Sequence, residues 1–230
     1  MSDNVEVPVG AVRLDQRPDS LSESVYNAIR QAIIDGTIPP ATRVTEAALA
    51  KQMNVSKTPV REALLRLREI GLIESDGPRA GRIVMPSLEQ LRDAYEIRCA
   101  LETTSARLAG QRGDRDSLLA AHEQATLTVT AANSRAIAAY READELFHSL
   151  IGRASGNQKL ARMIDDVNAL ISALRMRSLP GIDASPLCAA QHVAIAQALL
   201  DGDGETAAAC MDKHVSHVRS EVLKAFAEAG

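Results

Sequence analysis

Val55-Ser56-Lys57-Thr58-Pro59-Val60-Arg61-Glu62-Ala63-Leu64 reads as the opening of a helix with two unlike faces. Ser56 or Thr58 can cap it, and Pro59 falls in its first turn, where a missing N–H costs nothing. Val60, Leu64 and Leu67 recur at helical spacing and turn inward, which leaves Lys57 and Arg61 outside. Gly71 ends the helix after Ile70. Upstream, Asn54 suits the left-handed conformation that closes a tight turn. Thr45 caps a short helix to Met53, with Leu49 inward. Before it, Thr37-Ile38-Pro39-Pro40-Ala41 reads as a turn that delivers Arg43 and Val44. A first helix runs from about Leu21 to Asp35, with Val25, Ala28, Ile29, Ala32 and Ile33 on one stripe and Gly36 at its end. Downstream, Leu72-Ile73-Glu74 and Arg82-Ile83-Val84 flank the turn signal Asp76-Gly77-Pro78 and read as a small hairpin. Three helices and a hairpin within about 65 residues have the layout of a winged helix-turn-helix.

Such a module enters the major groove by the N-terminal end of its third helix. Ser56 and Thr58 can reach phosphate oxygens there, aided by the unpaired N–H groups of the helix start. Lys57 and Arg61 stand on the exposed side, and Arg61 carries the fork that matches guanine. Arg43 sits where it can clamp the backbone. Arg79 and Arg82, beside Gly77 and Gly81, suit a flanking groove. The charge agrees. From Lys51 to Arg82 there are seven Lys or Arg against four Asp or Glu, whereas from Pro86 onward there are fifteen against nineteen. A basic segment on a chain of net charge −4 points to one part that meets an anion and another that does not.

The 230 residues are 46% hydrophobic, enough for a core, but only 2% aromatic with no Trp. That argues against gripping sugars or stacking single-stranded bases. Cys99, Cys188 and Cys210 are scattered, so neither a disulfide framework nor a thiolate metal site is expected. No apolar run could span a bilayer and no signal peptide opens the chain, so a cytoplasmic protein without a membrane partner is expected. Residues 1–19 carry no helical period and read as a flexible tail. A DNA-binding unit over 20–85 ends near the linker Met85-Pro86-Ser87. The remainder, 86–230, reads as about six helices, near 88–110, 114–132, 135–153, 157–178, 186–201 and 204–228, with breaks at Gly113, Gly156-Asn157, Pro180-Gly181 and Gly202-Asp203-Gly204. The fold class expected is mostly α: a winged helix-turn-helix joined to an all-α bundle.

The bundle helices carry polar residues where apolar ones belong. Asp144 and His148, four apart, share a stripe with Tyr140, Phe147 and Ile151. His192 lies with Ile195 and Leu199, and His214 with Met211, Val218 and Val222. Burying four such groups without partners costs several kcal/mol. A shared divalent cation removes that cost. Three imidazoles and one carboxylate suit zinc first, with nickel, manganese or iron(II) as further candidates, and leave room for an outside ligand. Hydrogen-bonded core histidines are the competing reading, and His122, on a stripe with Leu118 and Ala125, is a rival ligand.

The blocks Ile33-Ile34-Asp35-Gly36-Thr37-Ile38-Pro39-Pro40, Val44-Thr45-Glu46, Leu49-Ala50 and Val55 to Leu64 resemble the DNA-reading domain of the GntR family of bacterial regulators. The resemblance implies operator contacts by Arg43, Lys57, Thr58, Arg61 and a wing-tip glycine. Lys57 stands where Arg is commoner, which turns a bidentate contact into a point-charge one. Tyr95-Glu96-Ile97-Arg98-Cys99-Ala100-Leu101-Glu102, Phe147-His148, Gln191-His192 and Ala208 to His214 resemble the FCD effector domain of the FadR-like subfamily, and six helices match its VanR-type branch. That resemblance implies a metal on Asp144, His148, His192 and His214, completed by a small carboxylate that Arg98 can pair with. On the residues alone, Arg98 can instead pair with Glu102. Gln191 replaces a commoner Glu before His192.

The expected function is therefore a transcription regulator, not an enzyme. A homodimer would sit on an inverted repeat of double-stranded DNA, with repression relieved by the acid as the favoured sign. The alternatives are a metal-dependent hydrolase with a DNA-targeting arm, which lacks a general base aimed at the site, and a ligand-responsive regulator without metal.

Overall fold

The computed structural model describes residues 21–175 and 184–229. The expected tail at 1–19 and the break at Pro180-Gly181 lie outside the described residues. The N-terminal part runs α1 (Leu21–Ile34), β1 (Arg43–Thr45), α2 (Glu46–Met53), α3 (Lys57–Glu69), β2 (Ile73–Ser75) and β3 (Ala80–Ile83). Thr45 caps α2, its Oγ1 accepting from the Ala48 N–H at 3.2 Å, and Asn54 ends the helix in the left-handed region with φ 53°. Val60, Leu64 and Leu67 are buried on α3, against Val25, Ile29 and Ile33 of α1. Burying each such side chain contributes about 1.5–3 kcal/mol.

Two sequence expectations need correction here. The hairpin is the outer part of a three-stranded antiparallel sheet, ordered β1-β3-β2. Three residues between a proline turn and a helix cap carry no alternation to read; β1 is a strand because β3, far along the chain, supplies its partners. Gly81, expected at the wing tip, lies in that middle strand, opposite both Val44 and Ser75, and is buried. A Cβ there would fall 2.2 Å from Ile73 Cγ2, so Gly81 serves sheet packing and is not at the tip. Gly77, with φ 104°, is.

The rest is all-helical: α4 (Leu88–Arg112), α5 (Arg115–Ser134), α6 (Ile137–Ala154), α7 (Gln158–Arg175), α8 (Pro186–Leu200) and α9 (Gly204–Ala229). Side-chain caps at Ser87, Asp114 and Ser185 start α4, α5 and α8. α4 packs along α9, α5 along α6 and α8, and α7 along α4 and α6. With few aromatics, alanines fill many contacts and the helices approach closely. One close point is Gly110 against Gly204, where a Cβ on Gly110 would meet Gly204 Cα at 2.5 Å. The N-terminal part and the bundle have separate apolar cores, and Leu170 of α7 packs against both.

Candidate functional site

Asp144 and His148 project from α6, His192 from α8 and His214 from α9. One ligand atom from each lies within 4.8 Å of every other. His192 Nε2 is 3.1 Å from His214 Nε2 and 3.3 Å from Asp144 Oδ1, and His148 Nε2 is 3.8 Å from the same oxygen. Donors at about 2.1 Å from one ion stand about 3.0–3.4 Å apart when adjacent, close to these separations. All three histidines are buried, while Asp144 keeps 19% of its side chain exposed. His122 is not in this group.

The outer ring nitrogens decide what the inner ones can offer. His214 Nδ1 lies 3.0 Å from the Gln191 side-chain oxygen, which only accepts. His192 Nδ1 lies 3.2 Å from Thr128 Oγ1, whose own proton goes to the Ala125 carbonyl at 2.7 Å. His148 Nδ1 sits 2.5 Å from Glu102 Oε2. That contact is off the hydrogen-bond direction, yet too close for two lone pairs, so a proton lies there. Assigned from this network, every Nδ1 carries the proton and every Nε2 turns a lone pair toward the others and toward a carboxylate. Four acceptors thus converge, with no donor between them among the described residues. His148 Nε2 is buried without a hydrogen-bond partner among the described residues, an arrangement that costs about 1–3 kcal/mol. Protonation is a poor remedy: burial first, then the neighbouring histidines and Arg98, hold His192 and His214 well below the usual imidazole range. The donor set fits a divalent cation.

Beneath His148, Glu102 also accepts from Arg98 Nε at 2.8 Å and from Asn168 Nδ2 at 3.1 Å. Burial works to raise its carboxyl, but Arg98 and His148 outweigh that and hold it at about 2. Arg98 in turn is lowered most by burial, but Glu102, Tyr95 and Asp144 together raise it above the usual arginine range. Arg98 therefore has the i, i+4 partner that the sequence allowed. It also lines a cavity of about 220 Å³ over Asp144 and His148, together with Arg141, Asn168 and Arg175. Asn168 Oδ1 is buried without a partner there, among the described residues. Gln191 was visible in sequence as a neighbour of His192 but serves His214. Thr128 and Glu102 lie on other helices, with no sequence signal tying them to the histidines.

The DNA-reading candidates gather around a cleft between α3 and the wing, lined by Arg43, Lys57, Arg61 and Arg79 among others. Ser56, Lys57 and Thr58 are exposed at the start of α3, and the Ser56 side chain makes no cap bond. Two acids inside the cleft were not foreseen as partners. Glu46 takes Arg61 Nε at 3.0 Å and NH2 at 3.1 Å. Asp76 takes Arg43 Nε at 2.9 Å and Arg82 NH2 at 3.2 Å.

Known proteins match both parts. Residues 21–83 match the family described as bacterial regulatory proteins, gntR family, and residues 93–217 match the FCD domain. The HTH-type transcriptional repressor RspR of Escherichia coli is 26% identical over 202 residues, 88% of this chain and 89% of its own length. The "Probable D-xylose utilization operon transcriptional repressor" of Paenarthrobacter nicotinovorans is 30% identical, with 86% of each chain covered. Among solved structures, E. coli McbR/YncC superposes with a TM-score of 0.73 at 22% identity, over 89% of this chain and 98% of its own. No described helix is long and apolar enough to cross a membrane. The chain is a DNA-binding transcription regulator rather than an enzyme, and it belongs to the GntR family of bacterial regulatory proteins, with an FCD domain as its effector-binding part.

Proposed function

We propose that the chain is a cytoplasmic, homodimeric repressor whose hold on an inverted-repeat operator is set by a small carboxylate metabolite bound at a divalent metal, in the manner of the VanR-type branch of the FadR-like subfamily. Residues 20–85 act as the DNA-binding unit and 86–230 as the effector-binding and dimerisation unit. The observation that carries the reading is the convergence of Asp144, His148, His192 and His214, with the outer nitrogens of His192 and His214 hydrogen-bonded elsewhere and that of His148 against the Glu102 carboxylate. Asp144, His148, His192 and His214 would hold the ion, zinc first among the candidates, and the ion would supply a Lewis-acidic anchor for an acid group. The protein's own residues do the remaining work. Glu102, Thr128 and Gln191 fix the imidazole tautomers. Arg98, its Nε held by Glu102, adds positive charge at the cavity wall. At 220 Å³ the cavity is below the range of about 300–1,000 Å³ for drug-sized ligands, which favours a metabolite of a few carbons.

On the DNA side, Ser56, Thr58 and the start of α3 would take phosphates, Lys57 and Arg61 would face the groove, and Arg43 and Arg79 would flank it. A change in cavity occupancy would bias two placements of these heads, typically by about 1–3 kcal/mol. Elemental analysis of freshly purified protein tests the reading. Near-stoichiometric metal, lost in His192→Ala and His214→Ala with helicity retained, is expected. Metal-free wild-type protein that also fails to take up added zinc would overturn it.

A further inference from the structure

The cavity over Asp144 and His148 is not walled by the bundle alone. Gln31 and Ile34 at the end of α1, and Asp35 just past it, form another side. α1 is the helix against which α3 packs. An occupant of the cavity therefore touches the element that seats the DNA-reading helix. Asp35 is the charged residue that this end of the head adds to the cavity wall. Its Oδ1 accepts the Thr37 N–H at 2.9 Å, and Thr37 holds its carboxyl below the usual aspartate range, so it is charged at neutral pH. An acid entering the cavity meets Arg98, Arg141 and Arg175 beside Asp144 and Glu145 on the bundle side, and a fixed negative charge of the head on another wall.

We propose that the metabolite site is composite, completed by the end of α1, and that Asp35 makes an anionic occupant and this seating of the DNA-reading head disfavour one another. The proposal rests on the reading of the cavity as an acid site. Besides the apolar contact of Leu170 with both cores, polar contacts hold the seat beside the cavity. Arg30 of α1 reaches the Asp165 carbonyl at 3.4 Å and the Glu145 carboxylate at 4.0 Å, and Glu145 keeps 69% of its side chain exposed. An ion pair at 4.0 Å with a largely exposed carboxylate is individually weak, so a modest repulsion can shift the balance. Linkage then requires the converse: a head held in this seat weakens anion binding by the same factor.

Asp35→Asn is the informative variant, because the amide oxygen keeps the Thr37 bond while the charge goes. The full-length zinc-loaded protein is titrated calorimetrically with malonate and, separately, with inorganic phosphate, and hydrogen exchange is followed over α1 with and without malonate. D35N is expected to bind malonate about two- to fivefold tighter. Glu123→Gln, the same charge change on an exposed site of α5, leaves the affinity unchanged. Malonate is expected to speed exchange at the end of α1 in the wild type and less so in D35N. Wild-type malonate affinity in D35N, or exchange in α1 indifferent to malonate, would overturn the composite site. Zinc-loaded wild-type protein that binds neither anion would instead sink the acid-site reading beneath it.

Discussion

Arg61 shows how a residue can be read correctly and still be misjudged. Its place on the exposed side of α3 followed from the inward spacing of Val60, Leu64 and Leu67. Its engagement by Glu46 did not, because that acid opens a different helix. The consequence is geometric. Glu46 holds the Nε–NH2 edge of the guanidinium, which leaves the NH1–NH2 end to face a base. Arg61→Ala is expected to weaken binding to a duplex selected from a random pool by about five- to a hundredfold and to relax preference at one position. Glu46→Gln has a different signature. It removes a negative charge beside DNA and loosens Arg61, so affinity for scrambled duplex holds or rises while the selected-to-scrambled ratio falls. Fluorescence anisotropy with both duplexes reads this; an unchanged ratio would mean Glu46 only neutralises Arg61. The metal-ligand candidates were legible for the opposite reason: a polar residue in an apolar stripe is visible without knowing its neighbours. Glu102 and Thr128 were not, since polar residues on helices of mixed character give no such contrast.

Elements were legible where local chemistry sets their ends. Nine helices were expected within the described residues and nine are found there, because each has an apolar stripe closed by a cap, a glycine or a proline. β1 escaped because its strand character is supplied across space by β3. The caps carry a pH dependence. Asp114 accepts from the Ser117 hydroxyl and N–H, and these bonds lower its carboxyl from 3.8. A carboxyl that is lower when folded stabilises above its unfolded value, and the contribution fades as pH falls through the folded one. The difference in Tm between wild type and Asp114→Ala should therefore be full at pH 7 and close progressively below about pH 4. A glycine makes the second test at this scale. In the last turn of α4, alanine at position 110 would gain helix propensity of less than about 1 kcal/mol. The Cβ would meet the backbone of Gly204 at 2.5 Å, and overpacking of that kind costs about 1–3 kcal/mol or more. The clash should win: Gly110→Ala is expected to lower Tm, and a raised Tm would mean α4 and α9 can separate without loss.

At the scale of the whole molecule, the proposed ion would tie α6, α8 and α9 together at one point, while α7 and α1 carry the contact between bundle and head. Metal should thus act on stability by linkage. A ligand present at a hundred to a thousand times its Kd adds about 2.7–4.1 kcal/mol if it binds only the folded chain. EDTA is expected to lower the Tm of the wild type by several degrees, with zinc restoring it, and to leave His192→Ala nearly unmoved. The same geometry separates stability from signalling. Asp144 is the most exposed of the four candidate ligands and lines the cavity beside the buried His148, so its replacement should disturb the site from the ligand side. Asp144→Asn is expected to abolish the response of DNA affinity to an added acid while retaining most of the DNA affinity measured without it. Anisotropy with the selected duplex, with and without malonate, checks this. Equal loss of both would make Asp144 a packing residue of the bundle, because a group that only supports the fold cannot weaken the response to an acid more than the grip on DNA.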